Sequence, residues 1–294
     1  MNILIAGGSG LLGTALTKSF LADGHTVYSL SRKPGGANTI QWDGRTTAGW
    51  GQRINEMDVV VNLAGLSMAS WPWTAAKKKS FEDSRIFPGL ALAQAIREAT
   101  HRPSLFVQVS GINYYGLHGA PSDESTPPGD DFPAQLTIKW EESTKSVEEL
   151  GVRRIILRTA PVLARENVIV KLIALPVQFF VGGPLGSGKQ AFPWIHIKDW
   201  VGAVRYLAAK EKANGVYNFI APAQTSLDEF TRILAKVIHR PYWFPVPAFL
   251  MRIVLGEMNV MILEGRFSQP KRLIESGYEF QFPGPQEALV DLFG

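Results

Sequence analysis

Gly7, Gly10 and Gly13 stand three residues apart in the run Gly7-Gly8-Ser9-Gly10-Leu11-Leu12-Gly13. Glycines at this spacing suit the pyrophosphate of a dinucleotide. The first permits a tight turn off a strand, the second leaves the backbone open to a phosphate, and the third lets a helix pack closely on the sheet. Free N–H groups and partial positive charge at that helix N-terminus then favour an anion. The turn residues Gly7, Ser9, Gly10, Leu11, Leu12 and Gly13 are therefore assigned to a cofactor. A second strand ends at Ser29-Leu30-Ser31-Arg32-Lys33. An acid there would bind a ribose 2′-hydroxyl. Instead Arg32 can pair bidentately with a 2′-phosphate, and Ser31 can donate a further hydrogen bond. NADP(H) is preferred, with NAD(H) possible. Asp43 comes too late in the chain to read that ribose.

Such a motif is informative only between a strand and a helix. Residues 2–6 form an apolar run, Leu11 to Leu21 has helical spacing, and His25 to Leu30 reads as the next strand. The alternation continues with a strand over 58–64, a helix over 90–99, a strand over 105–110, a helix over 134–150 closed by Gly151, and a strand over 154–157. Apolar runs without alternation are expected of parallel strands buried on both faces. The fold class is α/β: a Rossmann doubly wound parallel sheet with a smaller C-terminal substrate lobe. Residues 1–162 with 196–221 are assigned to the dinucleotide-binding domain, and 163–195 with 222–294 to the smaller lobe. The Pro/Gly/Asp-rich stretch 117–133 must be a loop. Together with the glycine-rich 182–188 it is expected to close over a substrate.

Composition narrows the field. The chain has 294 residues, 46% hydrophobic and 19% charged, which fits a globular protein. It has no cysteine, which excludes disulfides, thiolate zinc sites and a cysteine nucleophile, and agrees with a cytoplasmic, reducing setting. Its five histidines lack metal-ligand spacing, so no metal is expected. No run approaches the ~20 apolar residues of a membrane span. The opening residues lack the basic start of a secretory signal. The net charge of +4 is weak, and Lys77-Lys78-Lys79 reads as a solvated helix face. Neither nucleic acid nor membrane is expected as a partner; a small-molecule substrate is.

The glycine motif, Asn62-Leu63-Ala64-Gly65 and Val109-Ser110-Gly111-Ile112-Asn113-Tyr114-Tyr115-Gly116 together resemble the extended short-chain dehydrogenase/reductases. Within them the chain resembles the atypical NAD-dependent epimerase/dehydratase branch of "epimerase family" proteins. The marks of that branch are Ser31-Arg32-Lys33-Pro34, Ser84-Arg85, Lys139-Trp140-Glu141, the run from Gly182 to Gly188, Trp194-Ile195-His196-Ile197-Lys198-Asp199, and the segment from Pro245 to Leu292. That last segment resembles a small domain of unknown function. The resemblance covers nearly the whole chain and departs between about 164 and 180. It implies that Leu63 and Ala64, followed by Gly65, line the adenine–ribose side of the cofactor, with Arg85 and Val162 nearby. It also suggests a homodimer.

Extended members of this group move hydride with the help of a Tyr-x-x-x-Lys pair on one helix face and an upstream Ser or Thr. Lysine lowers the tyrosine pKa, and tyrosine acts as acid or base. The one such pair here, Tyr206 and Lys210, comes too late in the chain and reads as an ordinary amphipathic helix. Counting back from Gly151 puts the expected pair near Phe132 and Leu136, which cannot move a proton. The remaining catalytic candidates are Ser110 and Tyr114 at a strand end, with Lys139 as the neighbour that would lower the phenol's pKa. The competing reading is a structural Tyr-Tyr-Gly turn. His196 reads as a satisfied structural histidine, and Trp71, Trp73 and Trp194 as pocket or core aromatics. Two functions follow: an NADP-dependent oxidoreductase or epimerase acting on a sugar-like or other hydroxyl/carbonyl compound, or a cofactor-binding sensor that has lost its chemistry.

Overall fold

The computed structural model describes residues 1–33 and 35–294. Pro34 of the Ser31–Pro34 mark lies outside the described residues. The central sheet has seven strands in the order β3-β2-β1-β4-β5-β6-β9, every pair parallel. These are β1 (Asn2–Ala6), β2 (Thr26–Ser31), β3 (Thr39–Gln41), β4 (Val59–Asn62), β5 (Leu105–Gly111), β6 (Arg153–Thr159) and β9 (Gly215–Phe219). The order reverses between β1 and β4, the point where doubly wound sheets bind ligands.

Alternate side chains feed two cores. Ile3, Ile5, Val59, Val61, Leu105 and Val107 face α1 (Leu11–Ala22) and α6 (Ile197–Ala209) through Leu16, Phe20, Trp200 and Val204. Leu4, Val60 and Phe106 face the other way, onto Ala91, Leu92 and Ile96 of α2 (Ala75–Glu98) and Val147 of α4 (Ser146–Glu149). Each such buried aliphatic side chain contributes roughly 1.5–3 kcal/mol. Burial on both faces explains the unbroken apolar runs.

Two helices differ from the sequence reading. α2 begins at Ala75, where the Thr74 side chain caps the Lys77 N–H, and it runs through Pro88. The helix expected over 134–150 is two: α3 (Phe132–Glu142), capped by Asp131, and α4. Gly89 of α2 sits against the end of α3, where a Cβ would fall 2.1 Å from Ser143 Oγ.

A third core lies outside the sheet. It packs α5 (Val168–Gln178), α7 (Leu227–Val237) and α11 (Pro285–Phe293) around Trp194, Phe192 and Phe230. The short strands β7 (Val162–Leu163) and β8 (Ile195–His196) pair beside it. The helices α8 (Ala248–Leu255), α9 (Val260–Leu263) and α10 (Lys271–Glu275) complete the C-terminal segment. No helix of the described residues is long and apolar enough to cross a membrane.

Candidate active site

A cavity of about 530 Å³ opens where β1, β4, β5 and β6 end, and segments 166–169, 191–193 and 261–268 wall its far side. The three motif glycines meet different surroundings there. Gly7 has φ +81°, and a Cβ on it would lie 2.8 Å from the Leu63 carbonyl oxygen. A Cβ on Gly13 would lie 2.5 Å from the Gly7 carbonyl oxygen and 2.6 Å from Gly8 Cα. Both positions are closed by backbone. Gly10 would meet only the Gly7 carbonyl, at 3.4 Å, and it lines the cavity. It is also the N-cap of α1 and makes no side-chain cap hydrogen bond. An open cradle at an uncapped helix N-terminus suits a phosphate.

Leu11, Leu12, Leu63, Gly65, Arg85 and Val162 share the same cavity. Ala64 is buried against Gly7, and its N–H donates to Asn62 Oδ1. Asn62 Nδ2 donates in turn to Gln108 Oε1, a buried amide pair that fixes the ends of β4 and β5. Ser9 is exposed on the turn. Ser31 and the exposed Arg32 stand at the end of β2, outside the cavity wall, and Ser31 Oγ accepts the Lys33 N–H.

Arg85 is the unusual member of this set. Its side chain is buried, lies 4.8 Å over the Trp140 ring and donates to the Phe81 carbonyl oxygen. Among the described residues no carboxylate lies within ion-pair distance of it. Burial pushes the guanidinium down to about 10. A buried cation on a cavity wall without a counter-charge is an expensive arrangement. The residues present therefore fit an anionic group bound in this cavity.

At the end of β5 the expected catalytic group does not assemble. Ser110 is buried at the cavity, and its hydroxyl donates to Glu141 Oε1 at 2.6 Å. Glu141 is bridged twice by Arg158 of β6, Nε to Oε1 at 2.8 Å and Nη2 to Oε2 at 2.9 Å. Burial pushes the Arg158 guanidinium down, but the hydrogen bonds and charge of Glu141 outweigh it and hold it above its ordinary value. The Tyr114 ring lies 3.2 Å from the Arg158 guanidinium carbon. Tyr115 donates to Asn218 Oδ1 and accepts from Arg158; burial raises it to about 12. Lys139 is turned away to Glu82 of α2, at 2.7 Å. Among the described residues no hydrogen bond joins Ser110, Tyr114 and Lys139 to one another. This corrects the expectation that Lys139 would lower a tyrosine's pKa, because its ammonium is already committed to Glu82.

The helix face that meets the cavity also differs from the count made back from Gly151. Phe132 packs against Trp73, 5.9 Å between ring centroids. The cavity is lined by Leu136, Thr137 and Trp140, so the residues four apart on that face are Leu136 and Trp140. Neither moves a proton. Thr137 is occupied with the Pro133 carbonyl.

The loop after Tyr115 is fastened. Ser122 N–H donates to the Phe267 carbonyl, Gln269 N–H returns to Ser122, and Arg266 donates to the carbonyls of Tyr115 and Ala120. Glu124 accepts from the Asn218 and Arg272 N–H groups, and burial raises its carboxyl. Segment 182–188 is likewise tied to 242–246. Both stretches expected as lids are walls here.

Comparison with known proteins then identifies the family. The profile of the NAD dependent epimerase/dehydratase family matches residues 3–219, and that of a domain of unknown function (DUF1731) matches residues 246–292. The chain belongs to the NAD-dependent epimerase/dehydratase family. It is 36% identical to the mouse (Mus musculus) "Epimerase family protein SDR39U1", with 99% of each chain covered. It is 32% identical to "Epimerase family protein YfhF" of Bacillus subtilis, again over 99% of each. The crystal structure of human epimerase family protein SDR39U1 (isoform 2) with NADPH superposes with a TM-score of 0.92, at 34% identity and 99% coverage of both chains.

Several residues of this family member's cavity escape sequence reading. Arg158 and Glu141 carry a faint signal, charge inside a buried strand and helix, that went unread. Arg266 has one too: it follows Gly265, whose Cβ would fall 2.0 Å from the Ala191 carbonyl oxygen, so the chain is pressed against 191–193 there. The remaining motifs are structural. His196 Nδ1 accepts the Lys198 N–H as N-cap of α6, and Nε2 lies 3.4 Å from Asp291. Tyr206 and Lys210 both donate to the Ser276 carbonyl. Trp194 is core, Trp73 packs on Phe81, and Trp71 is exposed.

Proposed function

We propose that this protein is an NADP(H)-dependent oxidoreductase or epimerase-like enzyme acting on a small hydroxyl or carbonyl compound. The observation that carries this reading is the extent of the cavity: it runs from the glycine turn to walls supplied by the C-terminal segment, which a bare dinucleotide site would not need. The human relative's NADPH complex supports the cofactor. In this reading Gly7, Ser9, Gly10, Leu11, Leu12 and Gly13 meet the pyrophosphate, Leu63, Ala64, Gly65 and Val162 flank the nucleoside parts, Arg85 neutralises phosphate, and Ser31 with Arg32 takes a 2′-phosphate. The nicotinamide, when bound, supplies hydride.

Ser110 then meets the reacting oxygen. Its proton is held by Glu141, so it presents a lone pair that accepts from a substrate hydroxyl and thus favours the alcohol form. Tyr114 and Lys139 take no proton in this reading, since Arg158 covers one and Glu82 holds the other. The sensor reading is favoured by Leu136 and Trp140, which stand where an acid–base pair would face the cavity. Screening the NADPH-loaded protein by thermal shift against nucleotide sugars and simple carbonyls separates the two. The enzyme reading expects a further shift from one class and substrate-dependent loss of NADPH absorbance, reduced about a hundredfold by Ser110→Ala. A shift from NADPH with no response to any substrate would establish the sensor.

A further inference from the structure

The glycine-rich run Gly182–Gly188 builds a surface rather than a lid. The Gly182 carbonyl accepts the Trp243 and Phe244 N–H groups, and the Val246 N–H donates to the Pro184 carbonyl. A Cβ on Gly183 would fall 2.1 Å from the Phe244 carbonyl oxygen, so this close pairing requires glycine. It sets Phe179, Phe180 and Val181 beside Trp243 and Phe244, and Trp243 Nε1 donates to the Phe180 carbonyl at 2.9 Å. The chain continues into α8, whose exposure is inverted. Met251 is buried, whereas Phe249, Leu250, Ile253 and Val254 are exposed. Phe249 with Ile253 and Leu250 with Val254 lie four apart, so they form one outward apolar face. Phe179 is 72% exposed, Trp243 67% and Ile253 76%. Scattered exposed apolar residues are ordinary; a contiguous aromatic and aliphatic face marks a docking surface.

The charge around this face is of one sign. Residues 230–256 contain Arg232, Lys236, Arg240 and Arg252 and no Asp or Glu; residues 167–192 contain Lys171 and Lys189 and no acid. Arg232 is paired with Asp228, but among the described residues no carboxylate pairs with Lys171, Lys236, Arg240 or Arg252. The Arg240 guanidinium rests 4.6 Å over the Phe180 ring. We propose that this face docks on an anionic lipid bilayer, inserting Phe179, Trp243, Phe249 and Ile253 at the headgroup boundary while the arginines and lysines meet lipid phosphates. Apolar side chains with Trp and a cationic border are the chemistry of an interfacial anchor. A second copy of the chain fits worse, because a two-fold contact through this face would set like charges against each other. The membrane was not expected from the sequence because no single segment is long enough to span one; the face is assembled from two segments distant in the chain.

The test is sedimentation of the full chain with phosphatidylcholine vesicles, with and without phosphatidylglycerol. Binding is expected only with the anionic lipid and should weaken as salt rises. Phe249→Asp with Ile253→Asp, and separately Arg240→Glu with Arg252→Glu, should each weaken it by about tenfold or more while the thermal midpoint stays unchanged. The charge pair alters only exposed ends, so it keeps the test decisive if the apolar pair unfolds. Absence of binding, equal binding to neutral vesicles, or binding indifferent to the charge pair overturns the proposal. A dimer in lipid-free solution that the apolar pair dissociates overturns it too, and assigns the face to a second copy.

Discussion

Gly10 and Gly13 differ in what a methyl group would touch. At Gly13 it meets backbone that cannot yield, so Gly13→Ala should cost about 1–3 kcal/mol of stability. At Gly10 it enters open cavity, so Gly10→Ala should leave the midpoint unchanged and weaken NADPH binding at least about tenfold. Thermal denaturation with and without NADPH reads both; equal destabilisation by the two would refute the distinction. Arg85 offers the converse experiment. Burial lowers its folded value to about 10 from 12.5, so the penalty is present at every pH below about 10 and fades only above it. At neutral pH it is on the order of 3 kcal/mol, before the Trp140 contact offsets part of it. Arg85→Met should therefore raise the midpoint of the ligand-free protein and abolish its shift with NADPH. A lower midpoint would mean that the guanidinium is satisfied structurally.

At the level of elements, the strands were legible because both faces of each are buried, which leaves a run of Val, Ile and Leu that needs no partner to be read. The helices were less so. Pro88 and the polar first half of α2 concealed its start at Ala75. The break between α3 and α4 has no glycine or proline to announce it, and it shifted the helical phase. Counting back from Gly151 through one continuous helix gave Phe132 and Leu136, whereas the face on the cavity is Leu136 and Trp140. The commitments of Ser110 to Glu141 and of Lys139 to Glu82 depend on contacts between distant segments, which spacing does not encode. His196 tests the join between α6 and α11. Burial pushes its imidazole below the ordinary 6.5, opposed by Asp291 and Asp199 and reinforced by Lys198, and the Phe282 ring stacks at 3.9 Å. The unfolded chain then binds the proton more readily, so this contribution is full above 6.5 and is lost as pH falls below it. Midpoints measured between pH 7 and 5 should fall more steeply for the natural protein than for His196→Asn, which keeps an acceptor for the Lys198 N–H. Parallel curves would show that the histidine is not held neutral.

For the whole molecule, the cavity lies between a sheet edge and a C-terminal segment that fastens the 117–133 loop. Arg266 grips Tyr115 and Ala120, and Ser122 pairs with 267–269, so the far wall is built and does not depend on closure of that loop. This division of labour, a glycine turn for phosphate and a fastened wall for a second ligand, rests on dinucleotide binding. The most direct measurement is a thermal-shift titration of the natural protein and Arg32→Ala with NADPH and NADH. A ligand at a hundred times its Kd stabilises the native state by about 2.7 kcal/mol, which is readily seen. The account predicts a larger shift with NADPH than with NADH, and in Arg32→Ala a loss of about 1–3 kcal/mol for NADPH alone. Equal losses for both would contradict the 2′-phosphate assignment, and no shift with either dinucleotide would contradict the central claim.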